Sequence, residues 1–86
     1  MSYSVRIKRS ASRELARIPQ PARTRLVHAI DGLGEQPFSG SVLKGGLRGL
    51  RRLLVGDYRI VYEVLDAELV VLVIRVARRG GAYRPI

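Results

Sequence analysis

Arginine is the residue type in this chain whose number and placement most clearly suggest a chemistry. All but two of the 16 basic residues are arginine, and four of them are Arg52, Arg59, Arg78 and Arg79. A guanidinium group presents a rigid fork of hydrogen-bond donors that matches a phosphate, and it stays protonated at any ordinary pH. These residues therefore predict binding to the phosphate backbone of RNA or DNA.

The overall charge also favours a polyanionic partner. The formal net charge is +9 at pH 7, from 16 basic and seven acidic residues. Clustered basic charge gives a protein a salt-dependent affinity for phosphate backbones and steers them towards it. A GC-rich genome would also produce an arginine-rich surface, and an acidic protein would suit the same charge. The composition alone leaves both of these alternatives open.

Other chemistries have little support in the composition. The chain has no cysteine, and its single histidine, His28, falls between predicted core positions of a helix. We therefore expect no disulfide, no metal site and no other cofactor. Tyr83, beside arginines near the end of the chain, is the best candidate for stacking or for acid–base work. Since there is neither an apolar run of about 18 residues nor a signal-peptide core, we expect a cytoplasmic protein without membrane contact.

The first half of the chain predicts one strand and two helices. Tyr3, Val5 and Ile7 alternate with polar residues, as in a half-buried strand. Ser10 is positioned to cap a first helix, and two prolines after it end this helix and open the second. The predicted buried positions of the two helices are Ala11, Leu15, Ile18, Leu26, Val27, Ile30 and Leu33.

The second half predicts three strands after a glycine-rich loop. They cover residues 51–55, 58–65 and 68–77, with turns at Gly56-Asp57 and Asp66-Ala67. Residues 69–74 are apolar on both faces, which indicates an interior strand. The order β-α-α-β-β-β predicts an α+β fold, in which two N-terminal helices pack on a small, mostly antiparallel sheet. We expect residues 1–86 to form one domain.

This arrangement predicts a basic patch. Arg59 alternates onto one face of its strand, and Arg52 lies across the Gly56-Asp57 turn from it. Arg78 and Arg79 end the neighbouring strand, and Tyr83 follows within reach of a short turn. The alternative is that arginines point outward on any small sheet.

Several motifs of the chain resemble those of one known family. They are Ala11-x-x-x-Leu15-x-x-Ile18-Pro19, Leu43-Lys44-Gly45, Gly56-Asp57-Tyr58-Arg59-Ile60-Val61-Tyr62, Arg78-Arg79 and Tyr83. The chain resembles the RelE/ParE superfamily of bacterial type II toxins over nearly its whole length. It is more similar to the RelE-like branch of ribosome-dependent messenger-RNA endonucleases. The Gly-Asp-Tyr-Arg turn is the most specific of these motifs.

The resemblance implies a reaction and a set of site residues. RelE-like toxins cut messenger RNA in the ribosomal A site, where the 2′-hydroxyl of the RNA attacks the adjacent phosphate without a metal. Carried over by position, the catalytic residues are Arg52, Arg59, Arg79 and Tyr83. The residues expected to bind RNA beside them are Lys44, Arg51, Arg78 and Arg84.

Two positions depart from the family pattern. Leu54 stands where a second basic strand residue is expected, and Arg78 stands where the family usually has His or Lys. Arginines can stabilise a pentacovalent phosphorane, but they do not readily accept a proton. Tyr83 is then the obvious candidate for the base.

The resemblance also implies partners and two alternative functions. A cognate antitoxin is expected to wrap the toxin in a hetero-oligomeric complex, and operator DNA is expected to be contacted only through that antitoxin. The ribosome and messenger RNA are the expected targets. The alternatives are a ParE-like inhibitor of DNA gyrase and an inactive toxin that serves as an antitoxin-bound co-repressor, which the leucine at position 54 would suit.

Overall fold

The protein forms one α+β layer pair, as the sequence predicts. We describe it from a computed structural model, which covers residues 2–43 and 49–79. Its elements are β1 (Ser4–Ile7), α1 (Arg9–Ala16), α2 (Ala22–Gly32), β2 (Ser41–Val42), β3 (Leu50–Val55), β4 (Tyr58–Leu65), a 3₁₀ turn (Asp66–Glu68) and β5 (Val70–Arg78). None of the helices in these two ranges is long and apolar enough to cross a membrane.

The sheet has five strands in the order β1-β5-β4-β3-β2 among the described residues. β1 runs parallel to β5, and the other neighbouring pairs are antiparallel. The prediction of an interior strand is confirmed, because β5 lies between β1 and β4. The two-residue strand β2 is an addition to the predicted order. It pairs Ser41 with Arg52 and Val42 with Arg51 at the edge of the sheet.

Both helices cover one face of the sheet. Their buried residues form a single core with the side chains that β4 and β5 direct towards them. The most deeply buried members are Leu26, Leu33, Ile60, Tyr62, Val71 and Val73. Burying one such aliphatic side chain contributes about 1.5–3 kcal/mol, so the helix layer holds the sheet in place mainly through these residues.

Two details of the helices differ from the prediction. Ser10 does not cap α1, because the helix begins at Arg9 and Lys8 is its N-cap residue, whose carbonyl accepts a hydrogen bond from the Ser12 N–H. Val27 is 40% exposed rather than buried. The buried stripe of α2 runs through Leu26 and Ile30, four residues apart, and the residue after Leu26 lies about 100° further round the helix.

The β4–β5 pairing contains a bulge. Val61 pairs with Arg75 and Tyr62 pairs with Val73, so Ile74 is an extra residue in β5. A bulge of this kind changes which side chains of the later strand face each side of the sheet. It therefore bears directly on the arginines at the end of β5.

Candidate nucleic-acid interface

The sheet face opposite the helices carries the first two predicted site residues. Ile60 and Tyr62 lie in the helix-side core, so Arg59 alternates onto the other face, which we call the open face. Arg52 pairs with Val61 and Leu54 pairs with Arg59. Directly opposed residues of two strands share a face, so Arg52 and Arg59 lie on the open face as diagonal neighbours.

Leu54 is the residue that stands directly opposite Arg59. Its side chain is 41% exposed on the open face. The cross-strand position nearest to Arg59 is therefore apolar, and Arg52 is one pair further from the turn. The sequence alone did not determine the register of β3 against β4, and so did not show whether Arg52 and Arg59 lie side by side. The observed pairing shows that they are diagonal neighbours.

The end of β5 is tied to the turn that precedes Arg59. The Arg79 N–H donates to the Asp57 carbonyl oxygen at 2.8 Å, and Nη1 of Arg79 donates to the Gly56 carbonyl oxygen at 3.2 Å. Gly56 has a φ of 56°, a left-handed conformation that glycine adopts at no steric cost. The turn thus holds the Arg79 main chain at Asp57, two residues before Arg59.

Arg78 is placed differently from the prediction. It pairs with Tyr58, and its guanidinium carbon lies 5.7 Å from the centre of the Tyr58 ring. Tyr58 packs against the helix-side core, so Arg78 is on the helix side and not on the open face. The prediction of one patch containing both Arg78 and Arg79 is wrong for this residue, because consecutive residues of a strand alternate between its faces.

Arg51 also lies on the helix side, where it supports a loop. It pairs with Tyr62, and its Nη1 donates to the carbonyl oxygen of Gly40 at 2.7 Å and to that of Phe38 at 3.5 Å. Its guanidinium carbon lies 5.0 Å from the Phe38 ring centre. The expected RNA contact does not fit this position, because the side chain is engaged on the face opposite Arg52. Tyr83, Arg84 and Lys44 lie outside the described residues.

The structure brings together one pair that the sequence analysis missed. The Glu14 carboxylate of α1 accepts a hydrogen bond from Arg75 Nε and another from the Val76 N–H, each at 2.9 Å. No spacing rule links residues that lie 61 and 62 positions apart. The available signal was Arg75 itself, because a partly buried charged side chain in an otherwise apolar strand calls for a partner.

A small cavity lies on the helix side of the Gly56-Asp57 turn. It has a volume of about 120 Å³, and its lining includes Arg25, Asp57 and Tyr58. A guanidinium and a carboxylate at its walls suit a small polar group. Within residues 2–43 and 49–79, no three His, Asp or Glu side chains come together in a way that could hold a metal ion.

The opposite end of the sheet has a different chemistry. The Tyr3 hydroxyl donates a hydrogen bond to the Asp66 carboxylate, and this bond is the main cause that raises the pKa of Tyr3. The Tyr3 ring also meets the Phe38 ring edge to face, with 6.4 Å between the centres. Asp66 lies in the 3₁₀ turn just before β5 and Arg79 lies just after its last residue, so the Tyr3 contacts and Arg79 are at opposite ends of this strand. Tyr3 therefore takes no part in the arginine site.

Comparisons with known proteins identify the family of this chain. The family model of the ParE toxin of the type II toxin–antitoxin system parDE matches residues 5–83. Toxin RelE of Mycobacterium tuberculosis is 36% identical over 84 residues, which are 95% of this chain and 87% of that protein. Toxin RelG of the same organism is 31% identical over 86 residues, which are 98% of this chain and 99% of that protein.

A solved structure shares the fold. The crystal structure of the toxin–antitoxin complex RelBE2 from Mycobacterium tuberculosis contains a chain with a TM-score of 0.86 and 30% identity, and the match covers 92% of this chain and 100% of that one. The chain therefore belongs to the RelE/ParE superfamily and is a toxin of the type II toxin–antitoxin class.

Proposed function

We propose that this toxin is a metal-independent, ribosome-dependent messenger-RNA endonuclease. The observation that carries the proposal is the grouping of Arg52 and Arg59 on the open face with Arg79, which is bound to the turn just before Arg59. Two guanidinium groups from β3 and β4, together with that of Arg79 directly after β5, can surround one phosphate of a single-stranded RNA laid across this end of the sheet. The names of the curated relatives, RelE and RelG, also favour the RelE-like branch.

The proposed reaction uses the RNA as its own nucleophile. The 2′-hydroxyl oxygen attacks the adjacent phosphorus, and its proton passes to a base. The bond between phosphorus and the 5′-oxygen then breaks, and the leaving oxygen takes up a proton. The products are a cyclic phosphate and a free 5′-hydroxyl. The phosphorane carries more negative charge than the starting phosphate, and preorganised guanidinium groups stabilise it.

The residues would divide this work according to their chemistry. Arg59 and Arg79 would stabilise the phosphorane, and Arg52, one pair further along, would orient the RNA backbone. None of them suits proton abstraction, because a guanidinium stays protonated. Tyr83 remains the candidate for the base or for stacking on a nucleobase.

We further propose a cognate antitoxin as the protein partner, in a cytoplasmic complex. The related toxin of RelBE2 was crystallised in a toxin–antitoxin complex. An antitoxin segment that covers the open face would meet Arg52 and Arg59, so acidic residues in that segment would complement their charge. Operator DNA would then be contacted through the antitoxin.

The test is induced expression in a bacterial host, with primer extension across a reporter messenger RNA. The wild-type toxin is compared with Arg79→Ala and with Arg13→Ala, which removes the same charge from an exposed helical position. Cleavage inside translated codons that is lost in Arg79→Ala and kept in Arg13→Ala supports the proposal. A folded Arg79→Ala protein that still cleaves would contradict it.

Two alternatives have specific support. The matching family model is that of ParE toxins, which favours a ParE-like gyrase inhibitor, and DNA-damage signalling with intact messenger RNA would move the target there. The apolar Leu54 opposite Arg59 favours an inactive toxin that serves as a co-repressor. Absence of growth arrest together with tight antitoxin binding would support that assignment.

A further inference from the structure

We infer that Glu14 is a positioning residue, which fixes the bulge of β5 and so determines that Arg79 rather than Arg78 is presented beside Arg59. Glu14 lies in α1, and its two carboxylate oxygens contact the two residues that follow the bulge. The consequence for cleavage rests on the proposed nuclease function. The consequence for strand register does not.

Within residues 2–43 and 49–79, no strand pairs with the edge of β5 next to Glu14. β1 pairs with β5 only as far as Ile7 and Val73, and the Lys8 N–H donates to the Val73 carbonyl oxygen. Beyond this point the strand would expose main-chain donors on that side. Oε1 of Glu14 accepts the Val76 N–H at 2.9 Å and so takes the place of the missing strand.

The second carboxylate oxygen holds the side chain of the preceding residue. Oε2 of Glu14 accepts a hydrogen bond from Arg75 Nε at 2.9 Å, and the two side chains are 29% and 25% exposed respectively. A charge-assisted bond at a partly buried site is stronger than one between neutral groups. Glu14 therefore binds the side chain of Arg75 and the main chain of Val76, the two residues directly after the extra residue Ile74.

The position of the bulge decides which arginine reaches the open face. In the observed register Arg59 pairs with Ala77 and Tyr58 pairs with Arg78. Arg79 directly follows the strand, and continued alternation puts it on the side of Ala77. Without the extra residue, every later position of β5 would shift by one along β4. Arg78 would then be on the face of Arg59, and Arg79 would be on the helix side.

Two contacts hold the segment between the bulge and the candidate site. Glu14 fixes Val76 at one end, and the Asp57 carbonyl oxygen accepts the Arg79 N–H at the other. Because Val76 is 2% exposed and belongs to the core, the observed register also buries an apolar side chain that the shifted register would turn outward. Core burial and the Glu14 contacts thus select the same register.

The test is a double-mutant cycle that joins Glu14→Ala and Arg79→Ala, measured on purified ribosomes programmed with a short messenger RNA. We expect Glu14→Ala to lower kcat by about tenfold, with little change in KM and little further loss in the Arg79→Ala background. Glu14→Gln keeps an oxygen for the Val76 N–H, so it should recover most of the rate. Glu35→Gln is the matched control, since Glu35 is an exposed acid that follows α2.

A structural measurement separates this inference from the proposed function. In ¹⁵N-labelled protein, cross-strand contacts between Arg75 and Val61 report the bulge, and amide exchange of Val76 reports the Glu14 contact. Additive losses in the cycle would overturn the inference. If the wild-type toxin cleaves no messenger RNA, the proposed function is wrong, and the inference about Glu14 is then tested by the strand register alone. The inference would then be refuted if the Arg75–Val61 contacts and the exchange rate of the Val76 amide stay unchanged in both Glu14→Ala and Glu14→Gln. It would be supported if Glu14→Ala loses these contacts and exchanges the Val76 amide faster.

Discussion

Gly40 lies so close to the main chain of Arg52 that a Cβ atom at this position would come 2.4 Å from the Arg52 carbonyl oxygen. The same atom would come 2.7 Å from the Tyr62 hydroxyl oxygen, which accepts a hydrogen bond from the Gly40 N–H at 2.9 Å. The close approach joins β2 to β3 at one of the candidate-site arginines. It also explains why a glycine stands here although its φ is not in the left-handed region.

Gly40→Ala should therefore shift the strand that carries Arg52. Neither the main chain of Arg52 nor the buried Tyr62 ring can move away cheaply, so we expect the free energy of unfolding to fall by about 1–3 kcal/mol. Cleavage should fall as well. Denaturant unfolding measures the first effect. Gly32→Ala is the control, because a Cβ there meets nothing within 4 Å. Equal stability of the two variants would contradict the close contact.

Tyr62→Phe should destabilise the protein through the same contact. The substitution keeps the buried ring but removes the hydroxyl oxygen that accepts the Gly40 N–H. A buried donor without an acceptor costs about 1–3 kcal/mol. Thermal unfolding measures the loss, and Tyr58→Phe is a matched control on the same strand. A Tyr62→Phe protein as stable as this control would show that another acceptor replaces the hydroxyl.

Arg78→Ala and Arg79→Ala should have unequal effects on cleavage. The two residues are adjacent and carry the same charge, but Arg78 packs over Tyr58 on the helix side and Arg79 is bound to the turn before Arg59. Loss of one preorganised donor to a transition-state oxyanion lowers the rate by about 10²–10³-fold, and we expect this for Arg79→Ala. Arg78→Ala should lose less than about tenfold. Single-turnover cleavage of one messenger RNA by both variants decides the matter, and equal losses would place both arginines at the phosphate.

Periodicity predicted most of the fold, and the reasons lie in particular residues. The positions of Tyr3 and Val5 and the apolar run of β5 are strong signals because burial fixes them, whereas Ile7, predicted on the same face as Tyr3 and Val5, is 38% exposed. The turn after β4 was harder. It is a 3₁₀ turn that ends in Leu69 with a φ of 54°, a conformation usually taken by glycine or asparagine. No residue at that place signals it, so the strand was predicted to begin two residues early.

The sequence accounts for only part of the candidate site, for a related reason. Arg59 and Arg79 were chosen from the turn motif and the strand end, and the structure ties the Arg79 main chain to the turn before Arg59. The side of Arg78 depends on the bulge at Ile74, and the bulge depends on contacts with α1 that are distant in sequence. Local patterns carry no information about such contacts, so a one-residue change in register could not be foreseen.

Stability at high pH should depend on Tyr3. Its hydrogen bond to the Asp66 carboxylate raises the pKa of Tyr3 above the ordinary value of 10.0, because ionised tyrosine could neither donate the bond nor tolerate the neighbouring charge. A raised pKa in the folded state means that the contribution is fully present below about pH 10 and is lost as the pH rises through the folded-state value. Tm measured between about pH 8 and 11 should fall more steeply for the wild type than for Tyr3→Phe. Parallel curves would show that this bond does not form in solution.

Leu54→Lys should strengthen the binding of RNA. Leu54 is 41% exposed directly opposite Arg59, so the new ammonium group would face the same strand of RNA as that arginine. One added phosphate contact should steepen the dependence of log affinity on log salt by about 0.7 for a single strand. Two like charges in opposed strands should cost about 0.2–1 kcal/mol of stability. Fluorescence anisotropy with an RNA whose scissile 2′-hydroxyl is replaced by hydrogen measures binding without cleavage.

Val27→Lys is the control for this measurement. Val27 is 40% exposed, almost the same as Leu54, but it lies on α2 and thus on the helix side of the sheet. It adds the same charge to the molecule, so a general increase in attraction would appear in both variants. A steeper salt dependence in Leu54→Lys alone would assign the RNA path to the open face. The same slope of log affinity against log salt in both variants would mean that the added affinity comes from net charge. It would contradict RNA binding on the open face.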